Sequence, residues 1–167
     1  HEHGLLHRDI KPGNLFASER GGVHDVVKLL DFGLVKPLTA GEESRLTQVG
    51  LVAGTPDYMS PEQAQAEPLD ARSDIYALGC VMYEMLAGDP PFGGTNMQRM
   101  MAQHASTPAP SIRLSRPAVP VSVDLVLAKA LAKAPGDRFQ TAGKMRNAID
   151  DLIEANGISE VIEHKKM

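Results

Sequence analysis

A mostly α-helical domain of the α+β class, with one small β-hairpin and a long irregular loop near its N-terminal end, is the fold this sequence predicts. Three observations predict it. Apolar residues recur at three- and four-residue steps in several segments beyond Ser73. Two short apolar runs flank Gly21-Gly22, and the stretch from Leu34 to Pro61 is rich in Gly, Ser, Thr and Pro without any sustained period.

His1 to about Asn14 reads as loop, broken by Gly4, Pro12 and Gly13. Leu15-Phe16-Ala17 and Val26-Val27-Lys28-Leu29-Leu30 read as two strands joined by the Gly21-Gly22 turn, with Asp31 just past the second. After the long loop comes the strongest helix. Ser73 is its expected N-cap, Asp74 suits the positive end of the helix dipole, and Ile75, Leu78, Met82, Met85 and Leu86 form the apolar stripe. Gly88 followed by Pro90-Pro91 ends it, and the nearly uncharged run from Ile75 to Tyr83 predicts deep burial. A shorter helix is expected over Asn96 to His104, then a Pro-rich connection from Pro108 to Pro120. Ser122 opens a helix with Val123, Val126, Leu127, Ala130 and Leu131 on one face; Thr141 opens the last, with Met145, Ile149, Leu152 and Ile153. Residues 1–155 form the expected domain and 156–167 a charged tail.

Composition bounds the function. The 167 residues carry 17 basic and 21 acidic side chains, a net charge of −4, which offers no general attraction for nucleic acid. The longest uncharged apolar run, Ile75 to Tyr83, is far short of the ~20 residues that cross a bilayer. No membrane contact is expected within this chain. The single cysteine, Cys80, excludes an internal disulfide framework and suits a reducing, cytoplasmic setting; its place in the most buried helix reads as core packing rather than reactivity.

The chemistry concentrates near the start. In His7-Arg8-Asp9-Ile10-Lys11-Pro12-Gly13-Asn14, a carboxylate, an amine and a carboxamide lie two and three residues apart in a stretch that Pro12 keeps from being helical. Such a loop can aim all three at one point. Twenty-two residues after Asp9, Asp31-Phe32-Gly33 places a second carboxylate at a strand end, before a glycine that permits unusual backbone angles. Carboxylate and carboxamide oxygens are hard donors of the kind Mg²⁺ takes.

Together these segments resemble the catalytic loop and metal loop of the protein kinases. Gly54-Thr55-Pro56-Asp57-Tyr58-Met59-Ser60-Pro61-Glu62 resembles the segment that closes the kinase activation loop, with Ser60 where alanine is more common. Asp74-Ile75-Tyr76-Ala77-Leu78-Gly79 resembles the start of the central helix of the kinase C-lobe, and Arg138 stands where the family places a partner for Glu62. Tyr58 to Ala64, and Lys129 to Lys133 with Asp137-Arg138-Phe139, are similar to the bacterial Ser/Thr kinases of eukaryotic type. The resemblance runs from His1 to about Glu154.

Carried over residue by residue, the resemblance implies that Asp9 is the catalytic base, that Lys11 sits beside the transferring phosphoryl group, and that Asn14 and Asp31 hold Mg²⁺ against the phosphates of ATP. Lys11 with Thr55 resembles the Ser/Thr-directed branch, Gly54 and Thr55 fall in the substrate-facing part of the activation loop, and Gly33 is the implied hinge. Arg8 implies a clamp for an activation-loop phosphate, for which Thr39, Ser44 and Thr47 are candidates and Thr47 is preferred by its spacing from Gly54-Thr55. Glu62 with Arg138 is expected to be a buried structural ion pair, and Asp74 to brace the His7-Arg8-Asp9 backbone. His7 is expected to pack and hydrogen-bond within the loop rather than join His1, Glu2 and His3 in a metal cluster. The eight Met residues, including Met97, Met100 and Met101, are expected in packing and exposed helix positions.

The expected activity is transfer of the ATP γ-phosphate to Ser/Thr hydroxyls of proteins, with self-association for trans-autophosphorylation and no nucleic-acid partner. A non-catalytic pseudokinase or docking module is the alternative, and a metal-dependent hydrolase using Asp9 and Asp31 a third. The glycine-rich loop, strand lysine and helix glutamate that the family also uses are not found here, so the resemblance implies an incomplete catalytic domain, inactive alone, in which the N-lobe is absent. The parent protein could then be membrane-anchored through a segment beyond Met167.

Overall fold

The computed structural model describes residues 1, 5–20, 23–30, 36–37 and 56–155. The order is strand β1 (Leu5–Leu6), β2 (Leu15–Arg20), β3 (Val23–Leu29) and β4 (Lys36–Pro37), then helices α1 (Pro61–Ala64), α2 (Ala71–Ala87), α3 (Met97–Ser106), α4 (Ile112–Ser115), α5 (Val121–Ala130) and α6 (Ala142–Ala155). Short 3-10 turns cover Pro12–Asn14, Pro56–Tyr58 and Pro135–Asp137. The predicted class is what is observed: mostly helix, with a two-stranded hairpin ahead of it.

In that hairpin β2 and β3 are antiparallel, with Leu15 opposite Leu29 and Phe16 opposite Lys28, and a local irregularity falls between Ser18 and Arg20. Both strands extend further toward Gly21-Gly22 than their apolar cores suggested, since ladder bonds continue through polar residues. The segment read as loop before Asn14 also contains β1, which pairs with β4 as Leu5 opposite Pro37 and Leu6 opposite Lys36. Two residues are too few to show a period, yet this pair fixes the chain immediately before His7.

Helix α2 is the centre of the molecule. Ile75, Tyr76, Ala77, Cys80, Val81 and Tyr83 are all buried, as expected of its uncharged run. Tyr76, Cys80 and Tyr83 pack with Ile112, Leu127 and Leu131, while Ile75 packs with Ala130, Phe139 and Met145. Burial pushes the Cys80 thiol up, which suits a core residue rather than a nucleophile. Gly79 lets α2 and α5 approach closely, because a Cβ there would lie 3.0 Å from that of Ala130.

Two expectations for α2 are corrected. The N-cap is Asp70, whose Oδ1 accepts from Arg72 N at 2.8 Å, so the helix starts earlier and Ser73 lies inside it, buried. Met85 is not part of the buried stripe: it is 76% exposed, on the side of the helix turned from both core clusters. The C-terminal end behaves as read, with Gly88 in the left-handed region at φ 93° and its N–H bonded to Glu84 O.

The later helices shift by a residue or two. Asn96 caps α3, Pro120 rather than Ser122 precedes α5, and the Pro-rich connection contains α4, capped by Ser111. Its first turn is fixed by Asp124, which accepts from Ser111 Oγ at 2.8 Å and Ile112 N at 3.0 Å. Helix α3 docks through fully buried His104, whose Nδ1 lies 3.0 Å from the Tyr76 hydroxyl. Burial beside Lys133 pulls that imidazole down to about 4, which favours the neutral ring in this contact. Met100 is buried and Met97 half exposed, as packing and surface positions. Residues 156–167, the expected tail, lie outside the described residues.

Candidate functional site

The loop from His7 to Asn14 is held from three sides. From below, Asp74 on α2 accepts from two consecutive backbone amides, His7 N to Oδ2 at 2.8 Å and Arg8 N to Oδ1 at 2.9 Å. Asp74 is 3% exposed, and burial pushes its carboxyl up against the opposing pull of those two amides. The His1 ring also reaches Asp74 Oδ2, at 2.9 Å. From the hairpin side, His7 Nε2 lies 3.1 Å from Leu30 O and Asp9 N donates to His7 Nδ1 at 3.4 Å. A carbonyl accepts only, so the Nε2 proton and the Nδ1 lone pair follow from the network. Both ring nitrogens serve the loop.

The third constraint comes from α1. Ser60 caps this helix in a reciprocal box with Gln63, and Gln63 Nε2 donates to Arg8 O at 3.0 Å. Arg8 has φ 68°, left-handed backbone that a non-glycine residue adopts only when its surroundings enforce it. That turn carries Asp9 to the mouth of a small cleft bordered by Ile10, Tyr58, Met59 and Gln63.

Asp9 is the hub of the polar side chains. Its Oδ2 accepts from Lys11 Nζ at 2.6 Å and from Asn14 Nδ2 at 3.1 Å, and its backbone carbonyl accepts from the same Asn14 amide at 2.7 Å. Asn14 sits in the 3-10 turn and is 6% exposed. With both amide protons on Asp9, its carbonyl oxygen is the end available to a ligand. Asp9 Oδ1 is likewise unengaged by the described residues. The arrangement therefore presents one carboxylate oxygen able to accept a proton, a cation beside it, and a hard amide oxygen of the kind Mg²⁺ binds.

Asn14 and the chain just before Asp31 are tied together, since Leu30 N donates to Asn14 O at 2.8 Å while Leu30 O meets His7. Asp31, Gly33, Thr39, Ser44, Thr47, Gly54 and Thr55, together with Glu2 and His3, lie outside the described residues. Among the described residues no group of three or more His, Cys, Asp or Glu side chains converges on one point.

Beneath α1, Glu62 and Arg138 form a bidentate pair, with Nη1 to Oε1 at 2.7 Å and Nη2 to Oε2 at 2.8 Å. Burial disfavours the Glu62 charge, but hydrogen bonds from Arg138 and the Ser73 hydroxyl outweigh it and hold the carboxyl below its usual range. Next to it Tyr58 donates to Glu84 Oε2 at 2.6 Å, and burial with that carboxylate pushes the phenol up. Sequence reasoning assigned no role to Gln63 or Glu84, and read Ser73 as a helix cap rather than as the donor to Glu62. For Gln63 a signal existed: Ser60-Pro61-Glu62-Gln63 has the spacing of a capping box.

The structure thus brings together a backbone loop pinned to a central helix, a carboxylate flanked by lysine and asparagine, and a glutamate–arginine pair that anchors α1. The chain belongs to the protein kinase family: the model described as protein kinase domain matches residues 1–150. Its relatives include the serine/threonine-protein kinase PknB of Mycolicibacterium smegmatis, 46% identical over 147 residues covering 87% of this chain and 23% of the relative. The probable serine/threonine-protein kinase PknB of Bifidobacterium longum is 44% identical over 157 residues, 94% of this chain and 22% of that protein. The PknB of Mycobacterium tuberculosis is 41% identical over 146 residues, 87% and 22% respectively. The chain thus spans under a quarter of the length of these relatives.

Proposed function

We propose that this chain supplies the catalytic loop and helical lobe, residues 1–155, of an ATP-dependent Ser/Thr protein kinase. The observation that carries the reading is the shared use of Asp9 Oδ2 by Lys11 and Asn14, which leaves Oδ1 to receive a substrate hydroxyl proton. Lys11 lies where it would offset charge on the transferring phosphoryl group. The free amide oxygen of Asn14 and the Asp31 carboxylate would hold Mg²⁺, with Leu30 as the tether between them. The bound cation supplies positive charge to the phosphate oxygens of ATP. Arg8 would clamp a phosphate on Thr47, with Gly33 as hinge and Gly54-Thr55 facing the protein substrate. Glu62, Arg138 and Asp74 carry structural roles.

The free buried Cys80 thiol and the demand for ATP favour a cytoplasmic catalytic unit. No helix among the described residues is long and apolar enough to cross a membrane. Protein Ser/Thr side chains are the proposed substrates, with a second copy as partner for trans-autophosphorylation. No two glycines in the 167 residues stand two apart, so the Gly-x-Gly of a phosphate-gripping loop is not among them, and the activity is assigned to the whole protein.

The test is transfer of label from [γ-³²P]ATP to a Ser/Thr peptide by purified full-length protein. Label on Ser or Thr that depends on Mg²⁺ and disappears with a chelator is the expected result. Nucleotide binding without any transfer would replace this reading with the docking-module one.

A further inference from the structure

Gln63 is a partly buried residue on a four-residue helix, and its amide bridges two segments distant in sequence. Its Oε1 accepts from Ser60 N at 2.9 Å, and its own backbone N–H is received by Ser60 Oγ at 3.3 Å. Its Nε2 points the other way and donates to Arg8 O at 3.0 Å, across 55 residues of sequence. Only one orientation of the amide pairs donors with acceptors at both ends. The residue it reaches is the one held at φ 68°, directly before Asp9.

Both backbone polar groups of Arg8 are therefore taken by side chains from other elements, the N–H by Asp74 and the carbonyl by Gln63. A left-handed non-glycine residue reverts to ordinary backbone unless its peptide groups are fixed, and a rotation there would swing the Asp9 carboxylate away from the cleft. Asp74 secures one side of the turn. Gln63 secures the other.

We propose that Gln63 is a positioning residue of the catalytic loop, acting through the Arg8 carbonyl to set the direction of Asp9, and that it couples the end of the activation segment to that loop. The proposal rests on the kinase reading for its kinetic consequence but not for its structural one. Glutamate separates this role from simple helix capping. A glutamate at the third helical position completes the same box with Ser60, but its carboxylate has no proton to give Arg8 O.

The experiment compares full-length wild type with Gln63→Glu in steady-state phosphotransfer and in hydrogen–deuterium exchange over His7 to Asn14. The expected result is a kcat lowered about tenfold with KM for ATP within about twofold, an unchanged thermal midpoint, and faster exchange across the loop. Wild-type kcat, or wild-type exchange over His7 to Asn14, overturns the proposal. If wild type itself transfers no phosphate, the kinase reading falls and the exchange comparison alone decides the positioning role. Should Gln63→Glu not fold, Gln63→Met, which keeps length and loses both amide bonds, is judged by the same two criteria.

Discussion

Arg138 reaches Glu62 across 76 residues and uses every proton of its guanidinium in doing so. Nη1 and Nη2 grip the two carboxylate oxygens, and the remaining protons go to the carbonyls of Ala132, Arg72 and Lys133 at 2.7, 3.0 and 2.8 Å. The pair thus joins α1, the start of α2 and the turn after α5 at one buried point.

Removing either partner leaves the other charged and buried. Glu62→Ala or Arg138→Ala is expected to cost about 3 to 5 kcal/mol, read as the shift in chemical unfolding of full-length protein. Arg138→Lys is expected to recover little of it, because an ammonium cannot reproduce the fork or reach three carbonyls as well. A loss under 1 kcal/mol for Arg138→Ala would show the pair to be dispensable.

The same pair sets an acid limit. Glu62 has its carboxyl held below the ordinary carboxylate value, so the folded state binds its proton less readily than the unfolded state. Its contribution is present above the unfolded value, near 4.5, and is lost as pH falls through the depressed folded one. Wild type is therefore expected to lose stability below about pH 4.5 more steeply than Glu62→Gln. Parallel pH profiles for the two proteins would contradict this.

Asp74 holds the loop that carries Asp9, the proposed base. Asp74→Ala strips the partners from the buried His7 N and the partly buried Arg8 N, and a buried donor left orphaned costs about 1 to 3 kcal/mol. The expected outcome is lower stability together with a fall in kcat that exceeds any rise in KM for ATP. Steady-state kinetics at a temperature where the variant stays folded separates the two effects.

Gly79 tests the packing under the site. Gly79→Ala places a methyl 3.0 Å from Ala130 Cβ and 3.2 Å from Leu131 Cδ2, so α2 and α5 must part. A destabilisation of about 1 to 3 kcal/mol is expected, with a larger loss for Gly79→Val. A thermal melt in which Gly79→Ala gains stability, as alanine does in an unconstrained helix, would refute the close contact.

The sequence carried the long elements and the site chemistry more clearly than the short ones. Helix α2 was legible because its apolar run is long, and Asp9, Lys11 and Asn14 because three polar groups crowd a loop that Pro12 keeps open. Strand β1 and helix α1 were not, since two and four residues show no period. Ser73 was mistaken for a cap because Ser-Asp looks like a helix start. Asp70 fills that place, leaving the Ser73 hydroxyl to donate to Glu62 at 2.6 Å. Met85 follows the helical step, yet it joins neither core cluster, a matter that only tertiary structure decides. The bond from Gln63 to Arg8 spans elements whose proximity no local pattern records.

In the proposed reaction Asp9 accepts the proton of a Ser/Thr hydroxyl while phosphate is transferred from ATP. The most direct measurement is single-turnover phosphotransfer by full-length wild type and Asp9→Asn, with nucleotide affinity and thermal unfolding measured on the same samples. Asparagine can still receive Lys11 through its amide oxygen but is no base. A fall in rate of about 10² to 10⁴-fold, with nucleotide binding and folding retained, is the expected result. An Asp9→Asn protein that phosphorylates the peptide at the wild-type rate would contradict the account.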